Sequence, residues 1–89
     1  MESQTTAKFW KAFDKLPETI QETARETYKI WQQNPDHPSL KFKQIHPIKP
    51  IYSVRIGLNW RTVGIKEENT MIWFWIGSHS EYDRLISKL

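Results

Sequence analysis

The first third of the chain carries apolar residues at the spacing of two amphipathic helices. Apolar side chains recur every three or four positions in residues 9–16 and again in residues 18–33, while charged residues occupy the other faces. Pro17 separates the two segments because it disfavours helical backbone in the residue before it, and Asn34 with Pro35 ends the second segment. The pattern therefore predicts two helices. Their apolar positions are Phe9, Ala12, Phe13, Leu16, Ile20, Ala24, Tyr28 and Trp31.

After residue 39 the pattern changes from the period of a helix to that of strands. Residues 40–45 begin with strict alternation of apolar and polar side chains, which predicts a half-buried strand. Lys41 and Lys43 fall on one face of that strand. Residues 46–50 contain two prolines, which cannot donate ladder hydrogen bonds, so this stretch is predicted to be a loop or an irregular edge.

Three further strands and a helical tail complete the predicted elements. Residues 51–56 and 60–65 form a hairpin whose turn lies at residues 57–59. Residues 71–76 are apolar on both faces, which is typical of a central strand. Residues 81–89 have the spacing of a short helix.

These elements predict an α+β fold in a single domain, residues 1–89. Two N-terminal helices pack on one face of a four-stranded antiparallel sheet, and a short helical tail follows it. Trp73 and Trp75 are predicted to share a face of the last strand because side chains alternate along a strand. The face opposite the helices is predicted to stay uncovered and to bind a ligand or partner.

Composition excludes several classes of protein. The 89 residues, 38% of them hydrophobic and 26% charged, suit one folded domain rather than a disordered chain. The absence of cysteine excludes disulfides and thiolate metal sites, and His37, His46 and His79 lack the spacing of metal ligands. We therefore expect no metal and no cofactor. The N-terminus lacks the pattern of a signal peptide and no apolar run is long enough to span a bilayer, so we expect a cytoplasmic protein without a membrane partner.

The positive charge is concentrated in one part of the chain. The formal net charge is only +3, but no acidic residue occurs between Asp36 and Glu67. Such a stretch predicts a surface that faces a polyanion, with nucleic acid as the first candidate. The alternative is that these charges only keep the sheet soluble. The cations in the stretch are Lys41, Lys43, Lys49, Arg55, Arg61 and Lys66.

Four of these cations are predicted to converge on one phosphate. Lys41 and Lys43 share a strand face, and Arg55 and Arg61 lie in the two strands of the predicted hairpin. Arginine offers a planar fork to two phosphate oxygens and lysine a mobile point charge, a combination suited to holding a nucleic acid backbone.

The segment after the last strand carries candidate acid–base groups. Cleavage of RNA without a metal requires a base for the 2′-hydroxyl, cations for the phosphorane and an acid for the leaving oxygen. His79 and Tyr82, together with the two hairpin arginines, have the chemistry for these roles. The alternative is an ordinary surface turn that starts a helix. Arg84 is either a further phosphate contact or a solvated charge.

The chain resembles the RelE/ParE superfamily of toxins of bacterial type II toxin–antitoxin systems. The resemblance rests on the order of elements, on the hairpin over residues 52–63 and above all on residues 75–83, WIGSHSEYD, which look like the tail of HigB-type toxins. It implies a RelE-like fold and a metal-independent endoribonuclease that cuts messenger RNA, in most members on the ribosome. It also implies a cognate antitoxin, expected to be acidic and partly disordered.

The resemblance also implies roles for individual residues. Arg61 corresponds to the arginine that stabilises the transition-state phosphate, and Arg55 to a basic residue of the preceding strand. His79 and Tyr82 lie where members keep acid, base or base-stacking groups, and which of the two is the base stays open. Ser53 stands where active members have a second strand lysine. A catalytically inert binding module is therefore one alternative. A ParE-like inhibitor of DNA gyrase is another, since the ParE branch shares this fold.

Overall fold

The computed structural model describes all 89 residues. The α-helices and strands, in chain order, are β1 Glu2–Thr5, α1 Ala7–Asp14, α2 Glu18–Gln33, β2 Lys43–Gln44, β3 Ile51–Ile56, β4 Trp60–Glu67, β5 Thr70–Ser78 and α3 His79–Ile86. The five strands form one sheet in the order β1-β5-β4-β3-β2, and a 3₁₀ turn, Pro38–Leu40, precedes β2.

Both predicted N-terminal helices are confirmed, and their ends have local causes. The Thr6 hydroxyl accepts the backbone N–H of Phe9 at 3.1 Å and so caps α1. Pro17 holds an extended conformation before α2, and the N–H of Asn34 donates to the carbonyl of Ile30 at its last turn. The two prolines that flank α2 therefore define its length, as the sequence predicts.

The sheet has one strand more than the sequence predicts, and it is mixed rather than antiparallel. β1 pairs in parallel with β5, from Glu2 opposite Thr70 to Thr5 opposite Trp73. Its residues, ESQT, contain no apolar side chain, so β1 lacks the alternation of apolar and polar residues by which a strand is predicted from a sequence. The prediction of a four-stranded antiparallel sheet is therefore wrong, because β1 is an edge strand held mainly by backbone hydrogen bonds.

The predicted hairpin is confirmed, but the strand before it is shorter than predicted. β3 and β4 pair antiparallel around a turn at residues 57–59, where Gly57 has φ +58°. β2 retains only two residues of the predicted strand, and Lys41 lies before it with φ +49°. The cause is the 3₁₀ turn at Pro38, which delays the start of the extended backbone.

A β-bulge separates the two tryptophans that were predicted to share a face. Val63 pairs with Trp75 and Gly64 with Trp73, so Phe74 is an extra residue in β5. Trp73 therefore packs in the core under the helices, while Trp75 packs on the opposite face, and the prediction is wrong. Gly64 makes room for this arrangement, because a Cβ there would lie 2.7 Å from Cε3 of Trp73.

Each face of the sheet has its own apolar cluster. We call the face under α1 and α2 the helix-covered face; it holds Val54, Trp73 and Ile76 with Trp31 of α2. We call the other the α3 face; there Tyr82 packs in a smaller cluster with neighbours from β3, β4 and β5. The sequence predicts that this face is uncovered, and that prediction is wrong because α3 lies over part of it. None of the helices has the length and apolarity that crossing a bilayer would require.

Candidate functional site

The uncovered part of the α3 face holds a pocket of about 470 Å³ in which the predicted phosphate-binding cations meet. We call it the basic pocket. It brings together all four residues that were predicted to converge on a phosphate, and it contains no acidic side chain. Its lining residues are Lys41, Phe42, Lys43, Ser53, Arg55 and Arg61.

Two arginines face each other across the hairpin at one side of the basic pocket. Arg55 in β3 is directly opposite Arg61 in β4, which brings two like charges together at a cost in stability. Arg55 Nε donates to the carbonyl of Gly57 and Arg61 Nη1 to that of Trp60, each at 2.9 Å. Neither guanidinium has a carboxylate partner, since the only ion pair in the structure joins two residues of α3. Their remaining N–H groups are therefore available to an anion.

The two lysines reach the basic pocket from the chain before β3. Lys43 is paired with Ser53 across the β2–β3 ladder. Lys41 has a left-handed backbone, which is unfavourable for a residue with a Cβ and is concentrated at functional sites in proteins. Both side chains are exposed. The pocket thus combines mobile ammonium groups with guanidinium groups anchored to backbone carbonyls.

Tyr82 lies behind the pocket rather than in it. Its side chain is only 6% exposed, and its hydroxyl donates to Oγ of Ser53 at 3.2 Å. The Arg61 guanidinium carbon lies 5.8 Å from the centre of the Tyr82 ring, within the range of a cation–π contact. A buried ring has no face to offer to a base, so the stacking role predicted for Tyr82 does not fit its position. Its contacts are instead with Ser53 and Arg61.

His79 is the first residue of α3 and does not line the basic pocket. Its backbone N–H donates to the carbonyl of Asn59 at 2.7 Å. The centre of its ring lies 6.0 Å from that of the Tyr82 ring. The side chain is 49% exposed, and Nε2 is 3.6 Å from a carboxylate oxygen of Asp83. The imidazole is therefore accessible and held near the end of β4 that carries Arg61.

A capping box fixes the start of α3 and so the place of His79. The Ser78 hydroxyl accepts the N–H of Glu81, and the Glu81 carboxylate accepts the N–H and the hydroxyl of Ser78. These hydrogen bonds lower the pKa of Glu81, because they stabilise its ionised form. Arg84 is exposed on the same helix and does not line the pocket.

Residues 18–84 match the family model of the ParE-like toxin domain. This match spans most of the chain. The chain belongs to the ParE-like toxin domain family. It is thereby a member of the RelE/ParE superfamily, and the resemblance found in the sequence is confirmed. No curated protein sequence matches it.

Solved structures of toxins have the same fold as this ParE-like domain. The RelB-RelE antitoxin-toxin complex from Methanococcus jannaschii contains a chain with 20% identity and a TM-score of 0.73, the match covering 91% of this chain and 96% of that one. YafQ from E. coli strain BL21(DE3) gives the same TM-score and coverage at 9% identity. The YoeB/ParE toxin from Agrobacterium tumefaciens gives 0.68 at 14% identity, covering 89% and 99%. At such identities the likeness shows the fold.

Two features of the ParE-like domain were not predicted from its sequence. The contact between Ser53 and Tyr82 joins residues far apart in the chain, and Ser53 is only 2% exposed. The one signal in the sequence is that Ser53 lies in a strand of mostly apolar residues, at a position where a buried apolar side chain is expected. The second feature is an apolar cavity of about 500 Å³ between α1, α2 and the sheet, lined by Phe13, Tyr28 and Trp73 among others.

The ParE-like domain shows no cluster of side chains suited to a metal. No group of three or more His, Asp or Glu residues lies close enough together to ligate one ion. The basic pocket itself offers hydrogen-bond donors and positive charge.

Proposed function

We propose that this chain is the toxin of a toxin–antitoxin system and acts as a metal-independent endoribonuclease that cleaves messenger RNA on the ribosome. Such a substrate implies that it works in the cytoplasm. The observation that carries the proposal is the basic pocket, in which Lys41, Lys43, Arg55 and Arg61 surround a volume without any acidic side chain. Four cations without counter-ions attract a phosphate backbone, and they do not contribute to the packing of the apolar core.

The geometry favours a division of labour within the site. Lys41, Lys43 and Arg55 hold the RNA backbone, and Arg61 contacts the scissile phosphate, where its fork stabilises the charge of the phosphorane. His79 is an exposed titratable group whose ring lies 6.0 Å from that of Tyr82, which in turn contacts Arg61, so we assign to it the transfer of the proton from the 2′-hydroxyl. The 2′-oxygen then attacks phosphorus, and the bond to the 5′-oxygen breaks as that oxygen takes up a proton from water.

Tyr82 contributes to this mechanism through its contacts with Ser53 and Arg61. Its phenol is bound to Ser53 and its ring lies against Arg61, which gives the transition-state arginine a fixed direction. Arg84 is exposed and does not line the basic pocket. A contact between Arg84 and RNA therefore requires a substrate long enough to extend from the pocket over α3.

The basic pocket also defines the partner that would control such a toxin. Uncompensated cations attract an acidic segment of an antitoxin, which would become ordered as it binds. Similar chains from Methanococcus jannaschii and from E. coli have been solved as toxin–antitoxin complexes. An antitoxin seated on the pocket would compete directly with messenger RNA.

A second candidate function is inhibition of DNA gyrase, which the resemblance to the ParE branch implies; the matching family model carries the name of that branch. Inhibition of gyrase needs no proton-transfer group, so it gives His79 no role. An inert binding module is the third candidate, for which the serine at position 53 is the reason.

One experiment separates these candidates. Messenger RNA cleavage is mapped in a translating extract, and DNA supercoiling by gyrase is measured in parallel, for the parent chain, Arg61→Ala and His79→Ala. The proposal predicts cleavage by the parent, loss of cleavage in both variants and unaffected supercoiling. Intact transcripts with blocked supercoiling contradict it in favour of gyrase inhibition, and no effect in either assay indicates an inert module.

A further inference from the structure

The hydroxyl of Ser53 is a polar group of the basic pocket to which the proposed mechanism gives no role. Ser53 lines the pocket in β3, opposite Lys43, and is 2% exposed. Most buried polar side-chain groups in proteins form hydrogen bonds, because leaving a donor unpaired is costly. The hydroxyl of Ser53 is therefore expected to have an acceptor for its hydrogen.

Tyr82 limits the possible answers. The phenol donates its hydrogen to Oγ of Ser53, which occupies one acceptor position of that oxygen. A serine hydroxyl keeps one hydrogen of its own, and it forms no other side-chain hydrogen bond in the structure. The Ser53 hydrogen therefore has no acceptor in the protein, and the space on which it borders is the basic pocket.

We propose that Ser53 is a substrate-contacting residue whose hydroxyl donates to a non-bridging phosphate oxygen, and that Tyr82 is the positioning residue that orients this donor. The cations around the pocket attract anions, and a phosphate oxygen is the acceptor that they bring to Ser53. This inference rests on the proposed function for its natural ligand, RNA. Ser53 would then be a neutral hydrogen-bond donor at the position where the resemblance to the family leads us to expect a lysine.

A neutral donor has a signature that separates it from the lysines. Each cation that contacts phosphate releases counter-ions, so it steepens the dependence of affinity on salt. A hydroxyl releases none. The contribution of Ser53 to affinity should therefore be the same at low and at high salt, whereas that of Lys43 should shrink as salt rises.

The test measures dissociation constants over a range of sodium chloride for two probes, a short 2′-O-methyl RNA that cannot be cleaved and inorganic pyrophosphate. Ser53→Ala should weaken binding of both about tenfold at every salt concentration, with an unchanged salt slope. Ser53→Cys, which keeps the size but is a poor donor, should resemble it. Lys43→Ala, the control, should reduce the RNA salt slope by about one.

Tyr82→Phe keeps the ring and removes only the bond to Ser53. It should weaken binding by a smaller factor, and the double variant with Ser53→Ala should bind no more weakly than Ser53→Ala alone, since both changes act through one donor. Thermal unfolding of each variant is recorded. A purely structural role would lower the melting temperature and leave the dissociation constants unchanged.

Each outcome decides between the inference and the function on which it rests. Unchanged binding of both probes by Ser53→Ala and Ser53→Cys overturns the inference, as does an additive double variant. Binding of pyrophosphate through Ser53 without any binding of RNA keeps the phosphate contact and rejects the proposed function. If the parent chain binds neither probe, both are rejected.

Discussion

The helix-covered face of the sheet and the α3 face differ in how completely their side chains are packed. Under α1 and α2, the strands contribute only apolar or small side chains to a large aromatic core that includes Trp31 and Trp73. On the α3 face, Val63 and Tyr82 form a small cluster, and beyond it the same strands carry Arg55 and Arg61. The core ends where the basic pocket begins.

This difference indicates where folding and function each act on the sequence. A strand places alternate residues on opposite faces, so β3 and β4 serve both purposes at once. In β3, Val54 is buried in the large core while its neighbours Ser53 and Arg55 line the pocket. Changes on the helix-covered face should therefore affect stability, and changes in the pocket should affect activity with little effect on stability.

The largest effect is expected from Trp31→Ala, which removes a tryptophan that is 1% exposed at the centre of the large core. Loss of a buried tryptophan costs about 3–5 kcal/mol, much of the stability of a small domain. Chemical denaturation monitored by circular dichroism measures it. Trp10→Ala is the matched control, since Trp10 is 47% exposed and its loss should cost far less. Equal losses at the two positions would contradict the assignment of the core.

Arg61→Ala should have the largest effect on activity. Removal of one group that stabilises a transition-state charge typically slows catalysis by about 10²–10³-fold. The melting temperature should stay within a few degrees of the parent, because Arg61 makes no ion pair. Arg84→Ala, a charge removed outside the pocket, should cleave like the parent. A loss of stability as large as that of Trp31→Ala would mean that Arg61 belongs to the core.

Arg55→Gln should separate binding from stability in one variant. It relieves the like-charge pair with Arg61, so the free energy of unfolding should rise by about 0.2–1 kcal/mol. RNA affinity should fall, with a salt slope smaller by about one. Lys49→Gln, a charge change in the loop before β3, should leave stability unchanged. A less stable Arg55→Gln protein would contradict the view that this pair is kept for binding.

The smallest effect concerns the capping box that sets the start of α3. Hydrogen bonds from Ser78 lower the pKa of Glu81 below 4.5, so its stabilising contribution is present above that pH and is lost as pH falls through the lowered pKa. In Glu81→Gln this part of the pH dependence should vanish. Thermal unfolding between about pH 3 and pH 6 measures it. Identical pH profiles for variant and parent would show that the box does not stabilise α3.

The sequence predicts the elements whose signals are local. Residues 18–33 and 51–56 match their observed helix and strand because Pro17 and Asn34 end one pattern and Gly57 allows the turn after the other. β1 has no such signal, because its polar residues owe their conformation to the strand beside them. The opposite orientation of Trp73 and Trp75 depends on a bulge, which simple alternation cannot predict.

The candidate site was predictable in its residue types and only partly in its geometry. An acid-free stretch identifies Lys41, Lys43, Arg55 and Arg61 because charge can be counted along the chain, and the hairpin register brings them together. The burial of Tyr82 was not predictable, since it depends on how α3 folds back over the sheet.

An NMR titration shows whether RNA binds in the basic pocket. The ¹⁵N-labelled chain is titrated with a 2′-O-methyl RNA, and amide shifts are compared between the two faces of the sheet. We expect the largest shifts at Lys43, Ser53, Arg55 and Arg61, with little change at Tyr28 beside the apolar cavity. Shifts confined to α1 and α2, or the same response in an Arg55→Gln, Arg61→Ala double variant, would contradict it.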